Sequence, residues 1–302
     1  MESNYAFNNV ALITVTYNSA AMAVNFAKTA ILFRHVWIVD NQSSDNTPAK
    51  FLECVPHLNL LALPSNLGFG AANNIGFAAS RESCSRVLFM NPDCSIDQAS
   101  VRLLVSALDE HKNAAVVSPV VFPDKGGEPN LKLRDYSEGF RASEVRALSY
   151  SVQLPEIIHE ACLDGACLLV ESSRFEQIGA FDENLFMYSE EDDISMRLAL
   201  FGFSKITVRD AIAKHIGGAS SAYSTLVEIR KKYHQRWSSY YVISKYEGRP
   251  QSKWSCIKTL SGSPIALVFY SLCLNKKYLI KWLGWTLASI DSLLSSKIFR
   301  RI

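Results

Sequence analysis

The stretch VALITVTYNSAAMAVNFAKTAILFRHVWIVD, Val10–Asp40, decides the fold. It opens with a short β-branched run, Val10–Tyr17, suited to a buried parallel strand. Alanine-rich Ala20–Leu32 predicts a helix, and Val36–Val39 is a second buried strand ending at Asp40. The same alternation continues downstream. Asn46 or Thr47 caps a helix that has Pro48 in its first turn. Leu58–Leu63 is a third strand, Gly68–Ser80 a Gly/Ala-rich helix and Arg86–Met90 a fourth strand. A helix over Gln98–His111 and a fifth strand over Ala114–Phe122 follow. Strands and helices alternating at such short intervals predict an α/β fold with a mostly parallel central sheet flanked by helices.

Pro123–Pro155 breaks the pattern and reads as a long surface excursion. Regular structure resumes with a strand over Cys162–Glu171 and a short helix over Ser172–Ile178. Acidic Ser189–Asp193 opens a helix that runs to Phe201, and Lys205–Val208 is a strand leading to His215. Tyr223–Tyr246 is helical, basic and aromatic.

The 302 residues are 48% hydrophobic and 20% charged, which excludes a disordered chain, a collagen-like repeat and a coiled coil. Seven irregularly spaced cysteines do not make a disulfide framework and read as reduced thiols in a cytosolic protein. Met1–Asn9 is polar and lacks the apolar core of a signal peptide. Charge divides unevenly. From Leu226 onward there are 14 Lys/Arg against 3 Asp/Glu, whereas the first 225 residues carry 17 against 26. A basic tail on an acidic body points to nucleic acid or to an anionic membrane surface. Nucleic acid is set aside because no helix-turn-helix, zinc or RNP-like signature is present. Pro264–Leu274 is apolar over only 11 residues, short of the roughly 20 that a spanning helix needs. Tyr278, Trp282 and Trp285 among Lys276, Lys277 and Lys281 suggest an interfacial helix. Lys297, Arg300 and Arg301 extend the basic character. The competing reading is a soluble helical subdomain with a buried apolar face.

In open α/β sheets, ligands bind at the carboxyl ends of strands. Thr16, Tyr17 and Asn18 follow the first strand, and Asp40, Asn41, Ser43, Ser44 and Asp45 the second. Asn66 and Gly68-Phe69-Gly70 follow the third, and Asn91-Pro92-Asp93 the fourth. Any one of these could merely cap a turn, but four in succession mark a crevice. The glycines of Asn66–Gly76 do not have dinucleotide-binding spacing, and no phosphate loop is present. Asp93 could help hold a divalent cation bridging phosphate oxygens. Glu190-Glu191-Asp192-Asp193 crowds four carboxylates at a helix start. A helix dipole and an Asp193–Arg197 pair explain one or two of them. Crowding raises the pKa of at least one, which suits a general base.

Together these motifs resemble the inverting, nucleotide-sugar-dependent glycosyltransferases of family 2, which have the GT-A fold, and within them a bacterial rhamnosyltransferase-like branch. The resemblance runs from Val10 to Tyr246. It rests on Val15–Asn18, Val39–Asp45, Asn66–Gly70 with Asn73–Gly76, Asn91–Asp93, Gly165–Val170, Phe175, Gly179, Phe181–Glu183, Phe186–Tyr188, and His215 with Gly217 and Ser220. It implies a GT-A catalytic domain over 1–222, with a nucleotide-sugar half over about 1–122 and an acceptor half over about 156–222. A basic helical region over 223–302 would lie at the membrane surface. Thr16, Tyr17, Asn18, Asp40, Asn41, Asn66, Gly68, Phe69, Asn74, Asn91 and Asp93 would bind the donor, with Asp40 reading its base. Asp93 and His215 would hold Mg²⁺ or Mn²⁺. Gly165, Tyr188 and Glu190 would face the acceptor. Asn91 replaces the first Asp of the usual Asp-x-Asp motif. Anchoring on Tyr188 and on Asp193 with Arg197 puts Glu191 at the catalytic-base position, and a one-residue shift would put Asp192 there instead. The implied donor is dTDP-L-rhamnose, with UDP- and GDP-sugars open. The implied acceptor is a bacterial surface glycan, such as lipopolysaccharide core or a lipid-linked O-antigen intermediate, met at the cytoplasmic face of the inner membrane. A catalytically weak glycosyltransferase relic that only binds nucleotide-sugar or membrane is the alternative.

Overall fold

The computed structural model describes residues 5–129, 131–133, 146–147, 149–151, 153–159, 162–217 and 224–294. The elements begin β1 (Phe7–Thr16), a 3-10 turn and α1 (Ala23–Ala30), β2 (Phe33–Asp40), α2 (Thr47–Cys54), β3 (Asn59–Ala62) and α3 (Phe69–Ser80). They continue β4 (Arg86–Met90), β5 (Cys94–Ile96), α4 (Gln98–Glu110) and β6 (Ala114–Pro123). The excursion contributes β7 (Lys132–Leu133), β8 (Arg146–Ala147) and β9 (Ile157–Ile158), and its residues 134–145 lie outside the described set. Then come β10 (Cys167–Glu171), α5 (Ser172–Gln177), α6 (Glu190–Phe201), β11 (Ser204–His215), α7 (Thr225–Tyr246), α8 (Arg249–Leu272) and α9 (Lys276–Leu294).

The main sheet runs β3-β2-β1-β4-β10-β6-β11-β5, with β9 beside β11. Pairing is parallel from β3 through β4 and again between β6 and β11. Strand β10 runs against both β4 and β6. The period of two in the strands sorts their side chains into two cores. Val10 and Leu12 join one face with Phe26 of α1, Phe51 of α2 and Leu104 of α4. Ala11 and Ile13 join the other with Phe77 of α3, Phe175 of α5 and Leu198 of α6. Burial on both faces is why the strands read as continuous apolar runs.

Two expectations need correction. The strand anticipated from Cys162 begins only at Cys167, because Asp164 turns the chain: its Oδ1 accepts from Ala166 N at 3.0 Å. The ambiguous apolar stretch is part of one long helix, α8, with Pro264 inside it. Trp282 and Trp285, expected at an interface, are half-buried within the helical bundle. Trp282 packs over Gly262 of α8, and the Arg236 guanidinium lies 4.8 Å from the Trp285 ring. Lys297, Arg300 and Arg301 lie outside the described residues.

Helix α7 packs on the α/β body, with Val242 and Ile243 against Leu185 and Met196. Polar contacts fix the same junction. Lys245 Nζ donates to Asp182 Oδ2 at 2.7 Å and to Asp193 Oδ1 at 2.6 Å. The Asp193 side chain, 0% exposed, also accepts from Arg197 and from the Tyr246 hydroxyl at 2.7 Å. Burial works to raise Asp182, yet Lys245, Asn184 and Tyr241 outweigh it and hold the carboxyl at about 2. Lys245→Met should cost about 1–3 kcal/mol in urea denaturation at pH 7, because it strips a shared cation from two enclosed carboxylates. Asp182's share of that stability is present above about pH 4 and lost as pH falls through about 2. The gap between wild type and variant should therefore narrow in acid.

Candidate active site

The carboxyl ends of β1, β2, β4 and β11 open on one rim, and β10 enters the sheet there because it runs the other way. At the β1 and β2 ends, Asp40 is buried and accepts from Thr16 Oγ1 at 3.0 Å, Ser43 N at 2.9 Å and Ser43 Oγ at 2.6 Å. Asn18 Oδ1 accepts from Ser44 N at 2.8 Å, while its own N–H donates to Ser43 Oγ at 2.8 Å. The loops after β1 and β2 are thereby stitched together, and Tyr17 stands exposed beside them. Asp45 caps the following turn, accepting from Thr47 N at 3.0 Å.

Three asparagines expected at the donor serve the backbone. Asn41 donates to Gly68 O at 3.1 Å and accepts from Leu67 N at 2.8 Å. Asn66 accepts from Gly68 N at 3.0 Å. Asn74 donates to Phe181 O at 2.9 Å and accepts from Phe181 N at 3.0 Å. Asn41 ties the β2 end to the turn before α3, Asn66 shapes that turn, and Asn74 ties α3 to Phe181. Gly68 has φ +89°, and a Cβ there would stand 2.3 Å from Phe186 O, so only glycine fits. Phe69 N donates to that same carbonyl at 2.8 Å.

Sequence reasoning missed β5, and β5 explains the next pair. Its antiparallel register places Cys94 opposite His215. Asp93 thus lies beside His215, with Oδ1 3.1 Å from Nε2, and Ile216 N donates to Asp93 O at 3.0 Å. Asp93 holds the His215 imidazole above its ordinary value, against the effect of burial. Among the described residues no group of three or more His, Cys, Asp or Glu could hold a metal ion, so this carboxylate and imidazole stand as a pair. Ser220, grouped with His215 in the sequence, lies outside the described residues.

On the other side of the rim, Tyr188 and Ser189 both take the left-handed backbone conformation, with φ 73° and 65°. Such residues cost of order 1–3 kcal/mol each and collect at functional sites. This turn starts α6. Glu190 is 4% exposed, and its Oε1 has no hydrogen-bond partner. Burial and then the charge of Glu191 push its carboxyl well above the usual range. Tyr188 is pushed up to about 12 by burial and by Glu228 and Glu190. Glu191 reaches back to the entrance of β10, where a Cβ on Gly165 would lie 2.7 Å from Glu191 Oε1. Burial raises Glu191 to about 7, helped by Asp192 and Asp164 and opposed by its own N–H and that of Gly165. Asp164, which the sequence reading passed over, acts electrostatically on both Glu191 and His215. The signal was its place before Gly165, an Asp-Gly turn at a strand start.

The chain matches the description "Glycosyl transferase family 2" over residues 6–168. The chain belongs to this family. It is a glycosyltransferase, and the expected resemblance to rhamnosyltransferases is borne out by its relatives. It is 26% identical over 279 residues to N-acetylglucosaminyl-diphospho-decaprenol L-rhamnosyltransferase of Mycobacterium tuberculosis, covering 83% of this chain and 89% of that protein. It is 28% identical over 152 residues to rhamnosyltransferase WbbL of Escherichia coli, covering 45% of this chain and 55% of that one. Solved glycosyltransferases share the expected GT-A fold. The mannosyltransferase PcManGT from Pyrobaculum calidifontis, in complex with GDP-Man and Mn²⁺, superposes with TM-score 0.52 at 15% identity, over 97% of this chain and 88% of that one. GalNAc-T7 with UDP, GalNAc and Mn²⁺ gives 0.55 at 13% identity, over 77% of this chain and half of that one.

Gly165→Ala should leave the fold intact, since the atom it meets is the mobile end of a side chain. Displacing the Glu191 carboxylate should lower turnover about 10²-fold, the usual cost of a 1 Å misplacement. Donor affinity, read by calorimetry, should hold.

Proposed function

We propose that this glycosyltransferase transfers L-rhamnose from dTDP-L-rhamnose, with inversion, to a lipid-linked or surface-glycan acceptor at the cytoplasmic face of the inner membrane. The rhamnosyltransferase relatives support the sugar, and the diphospho-decaprenol in the name of one supports the lipid-linked acceptor. The observation that carries the mechanism is the seat of Glu191 against Gly165, at the same rim as Asp93 and His215.

Glu191 takes the proton of the acceptor hydroxyl. That oxygen bonds to the anomeric carbon as the bond to the diphosphate breaks on the opposite face, so the configuration inverts. A carboxyl that titrates near 7 is both ionised often enough and basic enough for this step. Glu191 favours the first of the two alignments, because its carboxylate is the one lodged at the β10 entrance. Asp40, Thr16 and Ser43 would frame the nucleoside, with Tyr17 available to cover it. Asp93 and His215 fit a divalent cation: one carboxylate oxygen and one imidazole nitrogen face each other, and diphosphate oxygens would complete the set. The presence of Mn²⁺ together with UDP in one solved structure of the same fold and with GDP-Man in another supports this. Bound there, such a cation would supply positive charge to neutralise the departing diphosphate.

Glu191→Gln should bind donor normally and lose roughly 10²–10⁴ in turnover, the usual range for removing a general base. Asp192→Asn should be far milder, and the reverse ranking would assign the base to Asp192. Since the base works deprotonated, kcat/KM of the wild type should rise with pH through about 7 and then level. In thermal shift, dTDP with Mn²⁺ or Mg²⁺ should stabilise the wild type by about 2.7 kcal/mol at 100 times its Kd, and UDP or GDP at the same concentration should stabilise it less. Asp93→Asn should abolish the metal-dependent part, and His215→Ala should weaken it less. No consumption of any nucleotide-sugar by the wild type would leave a binding module in place of an enzyme.

A further inference from the structure

The helices α8 and α9 pack on α7 with their polarity reversed. The side of α8 that faces the bundle is small and polar: Ser252, Cys256, Thr259 and Ser263 are all buried. Their hydroxyls are occupied. Ser252 donates to Tyr240 O at 2.9 Å, Thr259 accepts from Tyr240 Oη at 2.8 Å and from Arg236 at 2.7 Å, and Ser263 accepts from Thr286 at 2.9 Å. The outward side is large and apolar. At 3.6 residues per turn, Trp254, Ile257, Ile265, Val268, Phe269 and Leu272 fall within one arc of about 120°, opposite the buried serines. Every one of these six is exposed, and exposure is highest at the turn into α9, where Leu272 is 80% and Leu274 90% exposed. A surface helix of a water-soluble body normally has the opposite arrangement.

The charges around this face are of one sign. Arg249, Lys253 and Lys258 lie on α8, and Lys276, Lys277 and Lys281 on α9. The one acid of the two helices, Asp291, is buried and accepts from the Tyr233 hydroxyl. Tyr270 and Tyr278 stack across the turn with centroids 4.9 Å apart, and Lys281 Nζ lies 5.7 Å from the Tyr278 ring. Among the described residues no helix is long and apolar enough to cross a membrane.

We propose that the outward face of α8, with the α8–α9 turn at its tip, docks on an anionic lipid bilayer. The inference deepens the membrane-surface part of the proposed function by naming the surface that makes contact. Apolar side chains at the tip enter the boundary between headgroups and acyl chains, tyrosines sit at headgroup level, and lysines meet lipid phosphates. A second copy of the chain is the poorer occupant, because a two-fold contact on this face would bring the same lysines together. The contact differs from the one the sequence suggested. Trp282 and Trp285 are engaged inside the bundle, and α8 supplies the apolar face.

The test is co-sedimentation of the full chain with phosphatidylcholine vesicles, with and without phosphatidylglycerol, alongside donor consumption and sedimentation velocity. The wild type should sediment with the phosphatidylglycerol vesicles at low salt and be released at about 0.5 M salt, where the Debye length shrinks below the charge separations. The triple variant I265S/V268S/L272S should lose about 1000-fold in partitioning, given three side chains worth roughly tenfold each. K276E/K277E should lose about tenfold or more. Both variants should keep the wild-type melting temperature and donor consumption, since these side chains are exposed and remote from the rim. A triple variant that sediments like the wild type overturns the proposal. So does a wild type that ignores both vesicles, including one that forms a dimer which the triple variant abolishes. Vesicle binding without donor consumption would count against the enzyme reading and leave the docking surface standing.

Discussion

Strand β10 runs antiparallel between β4 and β6, and the candidate site at the rim depends on that reversal. In a fully parallel sheet its start would lie at the far edge, away from the strand ends that carry Asp40 and Asp93. Reversed, it delivers Asp164 and Gly165 to the same edge, and Asn91 N locks the entry by donating to Ala166 O at 2.9 Å. The absent side chain of Gly165 then leaves room for the Glu191 carboxylate. Enclosure there raises its basicity, and the N–H groups of Glu191 and Gly165 limit the rise to about 7. A backbone constraint therefore sets a proton affinity.

Glu191 can hold that position only if the turn before it is rigid, and that turn is costly. Two successive non-glycine residues in the left-handed conformation need support on every side. The body supplies Asn74 and the aromatic cluster of Phe77, Phe89, Phe175 and Phe181, whose centroids lie 5.1–5.4 Å apart in most pairs. Helix α7 supplies the rest. Its His234 stacks on Phe186 at 4.7 Å, and Ser238 donates to Met187 O at 2.8 Å. Lys245 and Tyr246 meanwhile close over Asp193. Of the four adjacent acids, Asp193 is thus a structural anchor, and Glu190 and Glu191 carry the raised proton affinities.

The strand-end residues were legible in the sequence because periodicity and turn chemistry are local. The runs at Val10, Val36 and Arg86 announced buried strands, and the polar residues after them announced the rim. The direction of β10 was not legible, because an apolar five-residue run reads alike in either orientation. Three-residue β5 was too short to show a period, yet it decides that Asp93 meets His215. The backbone duties of Asn41 and Asn74 were hidden for a related reason. An asparagine after a strand or in a helix looks the same whether its amide faces a ligand or a carbonyl 107 residues away.

The C-terminal helices were the least legible part, and the reason is chemical. Sequence hydropathy finds apolar residues but does not say which side of a helix a neighbouring helix will cover. On α8 the neighbour covers hydroxyls, since Tyr240 and Arg236 of α7 bring polar partners that only the Ser/Thr side can satisfy. Burying Ile265, Val268 and Leu272 against α7 would instead take Thr259 away from the Arg236 guanidinium, which now donates to it at 2.7 Å, and from the Tyr240 hydroxyl at 2.8 Å. A hydrogen bond to a charged group is worth about 1.5–3 kcal/mol, so the polar network fixes the rotation of α8 and turns its apolar side outward. The same α7 that holds the Phe186–Asp193 turn therefore also sets which face of α8 is turned away from the bundle.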